Sequence, residues 1–244
     1  SEQMPELCIH PLPEAVPQDI LRGGVVVVID LLRATTTIVH ALAHGARAVI
    51  PAASVEEARQ VAMNWPPEQR LLGGERHGVT IPGFDLDNSP FSYTAERVQG
   101  RTIIFTTTNG TRAMRWADQA AEILTAAFVN LSAVVSRLQS ADRDVHLLCA
   151  GTDQRISAED LLLAGAIADR LGDRFHQNAE TRIFREFWRA RGENNADRLQ
   201  VLRDSAGGRN LVELGFDRDI EQAGHIDLFE LSPRLKNGRI AIDP

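Results

Sequence analysis

The sequence predicts an α/β protein in layers, helices on both sides of a mainly parallel or mixed sheet, with room for two α/β lobes. Three observations predict it. Residues 25–29, Val-Val-Val-Val-Ile, are all β-branched and form a continuous apolar run, the pattern of a strand buried on both faces. The theme recurs at residues 102–106 and 145–149. Each run ends in polar or small residues and is followed by a helical pattern, and strands alternating with helices argue for βαβ units. The expected domain is one unit over residues 1–244, with any lobe division near 136–146.

Bulk properties narrow the function. The chain has 244 residues, 43% of them hydrophobic, enough for a full core without staples. A net charge of −7 argues against nucleic acid as the partner. The two cysteines, Cys8 and Cys149, have no metal-ligand or disulfide spacing, so a reducing cytoplasm is the expected home. No apolar run reaches membrane-span length, and no signal-peptide pattern opens the chain. Ser1 to Gln3 precede Met4 and are left out of fold reasoning.

In chain order, residues 7–9 give a short strand, and Pro11, Pro13 and Pro17 an extended connection. Residues 25–29 lead into Asp30, Arg33, Thr35, Thr36 and Thr37; residues 38–44 then read as a helix closed by Gly45. Residues 46–50 return as a strand broken by Pro51, which makes a βαβ crossover with residues 25–29. Ser54 and Glu57 form a capping box for a helix through Met63, and residues 71–72 a short strand. Residues 73–90 lack strand or helix periodicity. Their glycines, prolines and polar groups, with Ile81 and Phe84 for anchorage, read as an ordered functional loop. An Ω-loop whose acids only form turns is the plainer alternative.

Further strands are expected at 102–106, 122–125 and 145–149, and helices at 112–120, 130–138 and 158–171, the last capped by Ser157 with Asp160. Phe184, Phe187 and Trp188 at helical spacing mark an amphipathic helix that packs on the sheet or on a second subunit, which permits a homodimer without requiring one. Ser205 to Gly208 read as a turn before a short helix at 210–214, and Asn237-Gly238 as a turn before a strand at 239–242.

In open α/β sheets ligands bind beyond the carboxyl ends of strands. Asp30, Thr106 and Gly151 are expected at one such edge. No dinucleotide fingerprint, Walker loop, nucleophile elbow or HExxH zinc motif is present. His40 and His44, four apart on a helix, lack a third ligand, and Cys149 reads as a buried hydrophobe with a nucleophile role left open. What remains is a site of acids and hydroxyls. Asp30, Glu75 and Asp85 are oxygen ligands suited to Mg²⁺, which takes one or two carboxylates plus waters and substrate oxygens. Arg33 and Arg76 suit phosphoryl or sulfonyl oxygens. Thr35, Thr36, Asn88, Ser89, Thr106, Thr107, Thr108, Asn109, Gly110, Thr111 and Gly151 complete an expected anion pocket. This is equipment for phosphoryl transfer to water, in which positioning and charge neutralisation carry the catalysis. The alternative for the 30–37 segment is that Asp30 and the threonines only cap a helix.

Five segments in order resemble the 2-phosphosulfolactate phosphatase family: Val-Ile-Asp30-Leu-Leu-Arg33-Ala-Thr-Thr-Thr37; Gly-Gly-Glu75-Arg76; Pro-Gly-Phe-Asp85-Leu-Asp-Asn88-Ser-Pro90; Thr106-Thr-Thr-Asn109-Gly-Thr111; and Cys149-Ala-Gly151 with Glu159-Asp160. The resemblance runs from about residue 5 to 240. It implies an α/β layered fold and a cytoplasmic, Mg²⁺-dependent phosphatase that converts 2-phospho-3-sulfolactate to 3-sulfolactate and phosphate, a step toward coenzyme M in methanogens. Another small phosphorylated hydroxy acid is the alternative substrate. By residue chemistry, Asp30 and Glu75 are the expected metal ligands, and Asp30, Arg33, Glu75, Arg76 and Asp85 the catalytic set. Asp30 also resembles the strand-end nucleophile of haloacid-dehalogenase phosphatases, but the Asp-x-Asp signature is absent, because Leu32 stands two residues on. Nucleophile and metal ligand both remain open for it. Two rivals use the same groups: a small-anion sensor without turnover, and a lyase or isomerase that stabilises an enolate with the metal.

Overall fold

A computed structural model describes residues 3–243. Ser1, Glu2 and Pro244, the ends of the expected domain, lie outside the described residues. The first half runs β1 (Glu6–His10), α1 (Gln18–Leu21), β2 (Val25–Ile29), α2 (Ala34–Ala43), β3 (Ala48–Pro51), α3 (Val55–Ala62), β4 (Arg70–Gly74), α4 (Ala95–Val98), β5 (Thr102–Thr106), α5 (Gly110–Trp116) and β6 (Glu122–Ala126). The second runs α6 (Leu131–Gln139), β7 (Val145–Cys149), α7 (Ala158–Leu171), β8 (His176–Gln177), α8 (Ala179–Arg191), α9 (Asn195–Asp204), α10 (Ala206–Glu213), α11 (Asp217–Ala223), β9 (Arg234–Lys236) and β10 (Arg239–Ala241). The α/β class follows: the described residues form a ten-stranded mixed sheet ordered β4-β5-β3-β10-β9-β6-β2-β7-β1-β8.

Every residue of β2, β5 and β7 is buried. β2 pairs in parallel with β6 on one side and β7 on the other, so its continuous apolar run has both faces covered. The expected βαβ crossover from β2 to β3 does not form. β3 pairs in parallel with β5 and antiparallel with β10; β10 pairs antiparallel with β9, and β9 antiparallel with β6. Three reversals therefore separate β3 from β6. One parallel group, β4-β5-β3, runs opposite to the other, β6-β2-β7-β1-β8, and the Asn237-Gly238 hairpin joins them. The strand ends near Asp30 and Thr106 accordingly belong to opposed groups rather than one edge. They still meet, because α5, which follows β5, packs on β2 and brings Gly110 against Asp30. Residues 136–146 run from α6 into β7 inside one group.

Helix boundaries carry further corrections. α2 starts at Ala34, so Thr35, Thr36 and Thr37 lie in its first turns and not in a loop. Ser54 caps α3 by accepting from the Glu57 N–H at 3.0 Å, and Glu57 reaches back to the Ala53 N–H. Ser157 makes no cap bond; its hydroxyl pairs with Thr152 at 2.7 Å. Residues 206–208 are the first turn of α10, and Ser205 is its cap, accepting from the Gly208 N–H at 3.0 Å. Pro51 closes β3 instead of breaking it.

The aromatic helix packs within the chain. α8 lies against α7 so closely that a Cβ on Gly165 would fall 2.1 Å from the Phe184 carbonyl oxygen, and Trp188 is buried and stacks on Phe128 with ring centroids 5.8 Å apart. Cys149 is buried and does not line the strand-end cavity, and burial pushes its thiol well above the usual range, the setting of a packed hydrophobe. His40 is buried edge-on against Phe229, and burial lowers it to about 4, the setting of a packed core histidine. Among the described residues no helix is long and apolar enough to cross a membrane.

Candidate active site

Asp30 follows the last residue of β2 and is buried. Its N–H donates to Thr35 Oγ1 at 3.0 Å, and its carbonyl accepts from the Thr35 N–H at 2.9 Å. Thr36 donates to the Leu31 carbonyl at 2.6 Å, and Thr37 to the Asn88 carbonyl at 2.7 Å. The three threonine hydroxyls thus bind backbone, two at the strand–helix junction and one at the 73–90 loop. The Asp30 carboxylate itself has no hydrogen-bond partner among the described residues and faces a cavity of about 220 Å³. It lies against the start of α5, where a Cβ on Gly110 would sit 2.9 Å from Asp30 Oδ2 and 2.8 Å from Ala34 Cβ. Glycine is required there to let the helix approach.

Glu75 reaches the cavity from the opposed strand group. Gly74 has φ 131°, and a Cβ on it would fall 1.9 Å from the Thr106 carbonyl oxygen. Only glycine lets the chain cross the end of β5 so closely. Glu75 Oε1 then accepts from the Thr108 N–H at 2.7 Å, and Oε2 from the Gly78 N–H at 2.7 Å and the Thr108 hydroxyl at 3.0 Å. These bonds lock the 73–90 and 106–111 loops together.

Two more buried acids stand behind Asp30. Asp160, in the first turn of α7, accepts from the Leu31 N–H at 3.0 Å and the Gly151 N–H at 3.1 Å. Its neighbour Glu159 approaches α10, where a Cβ on Gly207 would lie 2.9 Å from Glu159 Oε1. Burial, then the negative charges of Glu75 and Glu159, push Asp30 up to about 7, with Arg112 and Arg33 opposing. Burial pushes Glu159 up to about 7 as well, and burial with the two neighbouring acids lifts Asp160 well above the usual range.

The arginines expected to hold anions are engaged elsewhere. Arg33 Nη1 pairs with Asp219 of α11 at 2.8 Å, with both side chains almost fully buried. Arg33 Nη2 donates to the Gly78 carbonyl at 3.2 Å, and the guanidinium lies 4.4 Å from the Phe216 ring centroid. Arg76 donates to the Glu75 carbonyl at 2.7 Å and to Thr106 Oγ1 at 2.9 Å, and does not line the cavity. The cavity wall is therefore acids, amides and a paired guanidinium. Asp30, Arg33, Glu75, Asn88, Thr108 and Asn109 contribute to it, with His77, Thr152, Asp153 and the Gly207–Leu211 side of α10 at its rim.

A divalent cation fits this donor set. Among the described residues, Asn88 Oδ1 and Asn109 Oδ1 are buried oxygens with no partner, and the Asp30 carboxylate has none either. Among the described residues no three His, Cys, Asp or Glu side chains converge as a ready-made metal cage. The set suits a hard cation held by one or two carboxylates, with water and substrate oxygens completing it, the habit of Mg²⁺.

A family profile described as 2-phosphosulpholactate phosphatase matches residues 10–238. Proteins named probable 2-phosphosulfolactate phosphatase are similar over nearly the whole chain. That of Symbiobacterium thermophilum is 44% identical over 229 residues, 93% of this chain and 97% of its own. That of Thermotoga maritima is 45% identical over 217 residues, 87% and 89%. A Synechococcus relative is 41% identical over 222 residues, 88% and 90%. The chain belongs to the 2-phosphosulfolactate phosphatase family.

The five segments that carry the family resemblance meet in space with unequal roles. Asp85 is exposed and outside the cavity; Oδ2 accepts from the Leu72 N–H at 2.9 Å, which pins the loop to β4. Ser89 donates to Asp219 Oδ1 at 2.8 Å, behind Arg33. Thr107 and Thr111 pair with each other at 3.3 Å, and the Thr107 N–H donates to Thr111 Oγ1 at 3.1 Å. Thr35, Thr36, Thr106 and Gly151 likewise shape the backbone without lining the cavity. Sequence reasoning missed Asp219, Asp153 and the α10 glycines. Nothing local marks Asp219 among the acids of its helix, since its partner lies 186 residues away. The Gly207-Gly208 pair was legible but reads equally as a turn. A larger hollow of about 990 Å³, lined by Glu122, Arg137 and Arg143, lies at the amino ends of β2 and β6 and shares no residue with these segments.

Proposed function

We propose that this cavity hydrolyses 2-phospho-3-sulfolactate to 3-sulfolactate and phosphate, with Mg²⁺ bound. The observation that carries the reading is the free, buried Asp30 carboxylate beside unpaired Asn88 and Asn109 oxygens, in a wall whose arginine is already neutralised. A multiply anionic substrate entering such a wall needs a cation, and family membership supports a phosphoric monoester as the substrate class. Asp30, with Glu75 bracing the loops, would hold the ion, and Asn88 and Asn109 offer it further oxygens. When bound, Mg²⁺ supplies neutralisation of the phosphoryl oxygens.

The chain's own groups do the rest. Asp30 would supply the attacking oxygen, either its own carboxylate on phosphorus or a water that it orients. In both routes one water is consumed, the P–O bond to C2 breaks, and the leaving oxygen takes a proton. Glu159 and Asp160, held toward their protonated forms by burial, stand behind Asp30 as a proton store at neutral pH. The Thr108 amide and hydroxyl fix the Glu75 carboxylate in place. The two cysteines are unpaired, in keeping with a reducing cytoplasm as the setting.

The test is phosphate release from racemic 2-phospho-3-sulfolactate and from 2-phospholactate, each with Mg²⁺ and with chelator. Metal-dependent release favouring the sulfonate is expected, and Asp30→Asn is expected to abolish it while leaving the circular dichroism unchanged. Near-normal turnover by the folded Asp30→Asn protein removes Asp30 from the chemistry. No release by the folded wild type overturns the reading.

A further inference from the structure

Among the described residues, three two-residue turns have both central residues in the left-handed region. Arg76 and Val79 exchange backbone hydrogen bonds of 3.0 Å around His77 (φ 53°) and Gly78 (φ 80°). Thr152 and Arg155 exchange bonds of 2.9 and 3.0 Å around Asp153 (φ 49°) and Gln154 (φ 63°). The third joins β9 to β10 through Asn237 (φ 53°) and Gly238 (φ 74°). Such turns favour Asn-Gly, because those residues reach the left-handed region at least cost. The β9–β10 turn has that composition. The other two depart from it, and they are the two whose first central residues, His77 and Asp153, line the cavity. Each tight turn holds its first central side chain at the cavity rim.

The His77 tip is firmly held through Gly78. The Gly78 N–H donates to Glu75 Oε2 at 2.7 Å and its carbonyl accepts from Arg33 at 3.2 Å. A Cβ at Gly78 would lie 2.6 Å from Leu214 Cδ1 and 3.1 Å from Asn210 Nδ2, so the turn sits directly on α10. The imidazole itself has no hydrogen-bond or ion-pair partner among the described residues. With Arg33 committed to Asp219, His77 is, among the described residues, a cavity-lining side chain that has a ring N–H to donate and no partner of its own. Asp153, on the other tip, presents a carboxylate that repels anions.

We propose that His77 determines substrate specificity: its ring N–H donates a hydrogen bond to the sulfonate on C3 of the substrate, and Asp153 turns that group toward the His77 side of the rim. The inference rests on the phosphatase reading, with the phosphoryl group at Asp30. It is tested by steady-state kinetics of wild type, His77→Ala and His77→Gln on 2-phospho-3-sulfolactate and on 2-phospholactate, which lacks the sulfonate. Calorimetric binding of 3-sulfolactate and of lactate provides a readout independent of turnover. Loss of one charge-assisted hydrogen bond is expected to lower kcat/KM of His77→Ala on the sulfonate substrate about tenfold or more, through KM. The 2-phospholactate value should stay within about twofold, and His77→Gln, which retains an N–H donor, should recover part of the loss. Equal losses on both substrates, or no loss on either, overturn the proposal. If the wild type hydrolyses neither substrate, the phosphatase reading fails by that control and binding decides His77. Weaker 3-sulfolactate binding by His77→Ala, with lactate unaffected, then sustains the contact; unchanged binding, or none by wild type, overturns it.

Discussion

Replacing Asp219 by alanine should be among the most damaging single changes near the site that leave the cavity-facing acids intact. Arg33 and Asp219 are 2.8 Å apart with side-chain exposures of 2% and 3%. The carboxylate also accepts from Ser89, and the guanidinium is packed on Phe216. Removing one partner of a buried pair leaves the other charge uncompensated, at a cost of about 3–5 kcal/mol. For a chain of this size, each kcal/mol moves the melting temperature by about 2–4 °C, so a fall of roughly 6–20 °C is expected. The contrasting pair Arg22–Asp19 is 67% and 84% exposed, and Asp19→Ala should cost no more than about 0.5 kcal/mol. Calorimetry or urea unfolding at constant pH measures both. The double variant Arg33→Met with Asp219→Leu removes both charges together and should recover to within about 2 kcal/mol of wild type. A loss below about 1 kcal/mol for Asp219→Ala, comparable to an exposed pair, would refute the claim that this ion pair is dry.

Three further outcomes are expected. Gly110→Ala places a methyl group 2.9 Å from Asp30 Oδ2 and 2.8 Å from Ala34 Cβ; it should cost about 1–3 kcal/mol of stability and lower kcat about tenfold or more as the carboxylate is displaced, and unchanged kcat would show that Asp30 tolerates the shift. Asp85→Ala loses the bond to the Leu72 N–H outside the cavity, so stability should fall by about 1 kcal/mol while kcat stays within about twofold; a larger fall in kcat would return Asp85 to the chemistry. In chelator, Asp30 and Glu159 are both raised to about 7, so the folded state binds protons more tightly than the unfolded one. The stability contributed by the protonated carboxyls is full below about pH 4 and declines as pH rises through 7. For Asp30 the ceiling is on the order of 4 kcal/mol, from about three pKa units. The urea midpoint should therefore be higher at pH 5 than at pH 8, and the reverse order would contradict the buried-acid cluster.

Much of the architecture was legible locally. The runs at 25–29, 102–106 and 145–149 became fully buried strands, because a continuous apolar run has few other ways to leave water. The Ser54–Glu57 cap and the Asn237-Gly238 turn appeared as read, since both depend on atoms within four residues. Asp30 and the Glu75, Asn88 and Thr108–Asn109 segments do share one cavity. A cleft beyond the carboxyl ends of strands is where α/β sheets gather such groups.

Tertiary structure alone decided the rest. No local pattern shows that the β9–β10 hairpin reverses the sheet between two parallel groups, so the site unites two opposed groups and not one edge. Nor does residue type tell which arginines and threonines are free. Arg33 is neutralised by Asp219 across 186 residues, Arg76 is spent on backbone and Thr106, and Asp85 braces a loop in solvent. Side-chain type and spacing determine which groups can do acid, metal and anion chemistry. Which of them remain unpaired, and so available to a substrate, depends on long-range partners that exist only once the chain has folded.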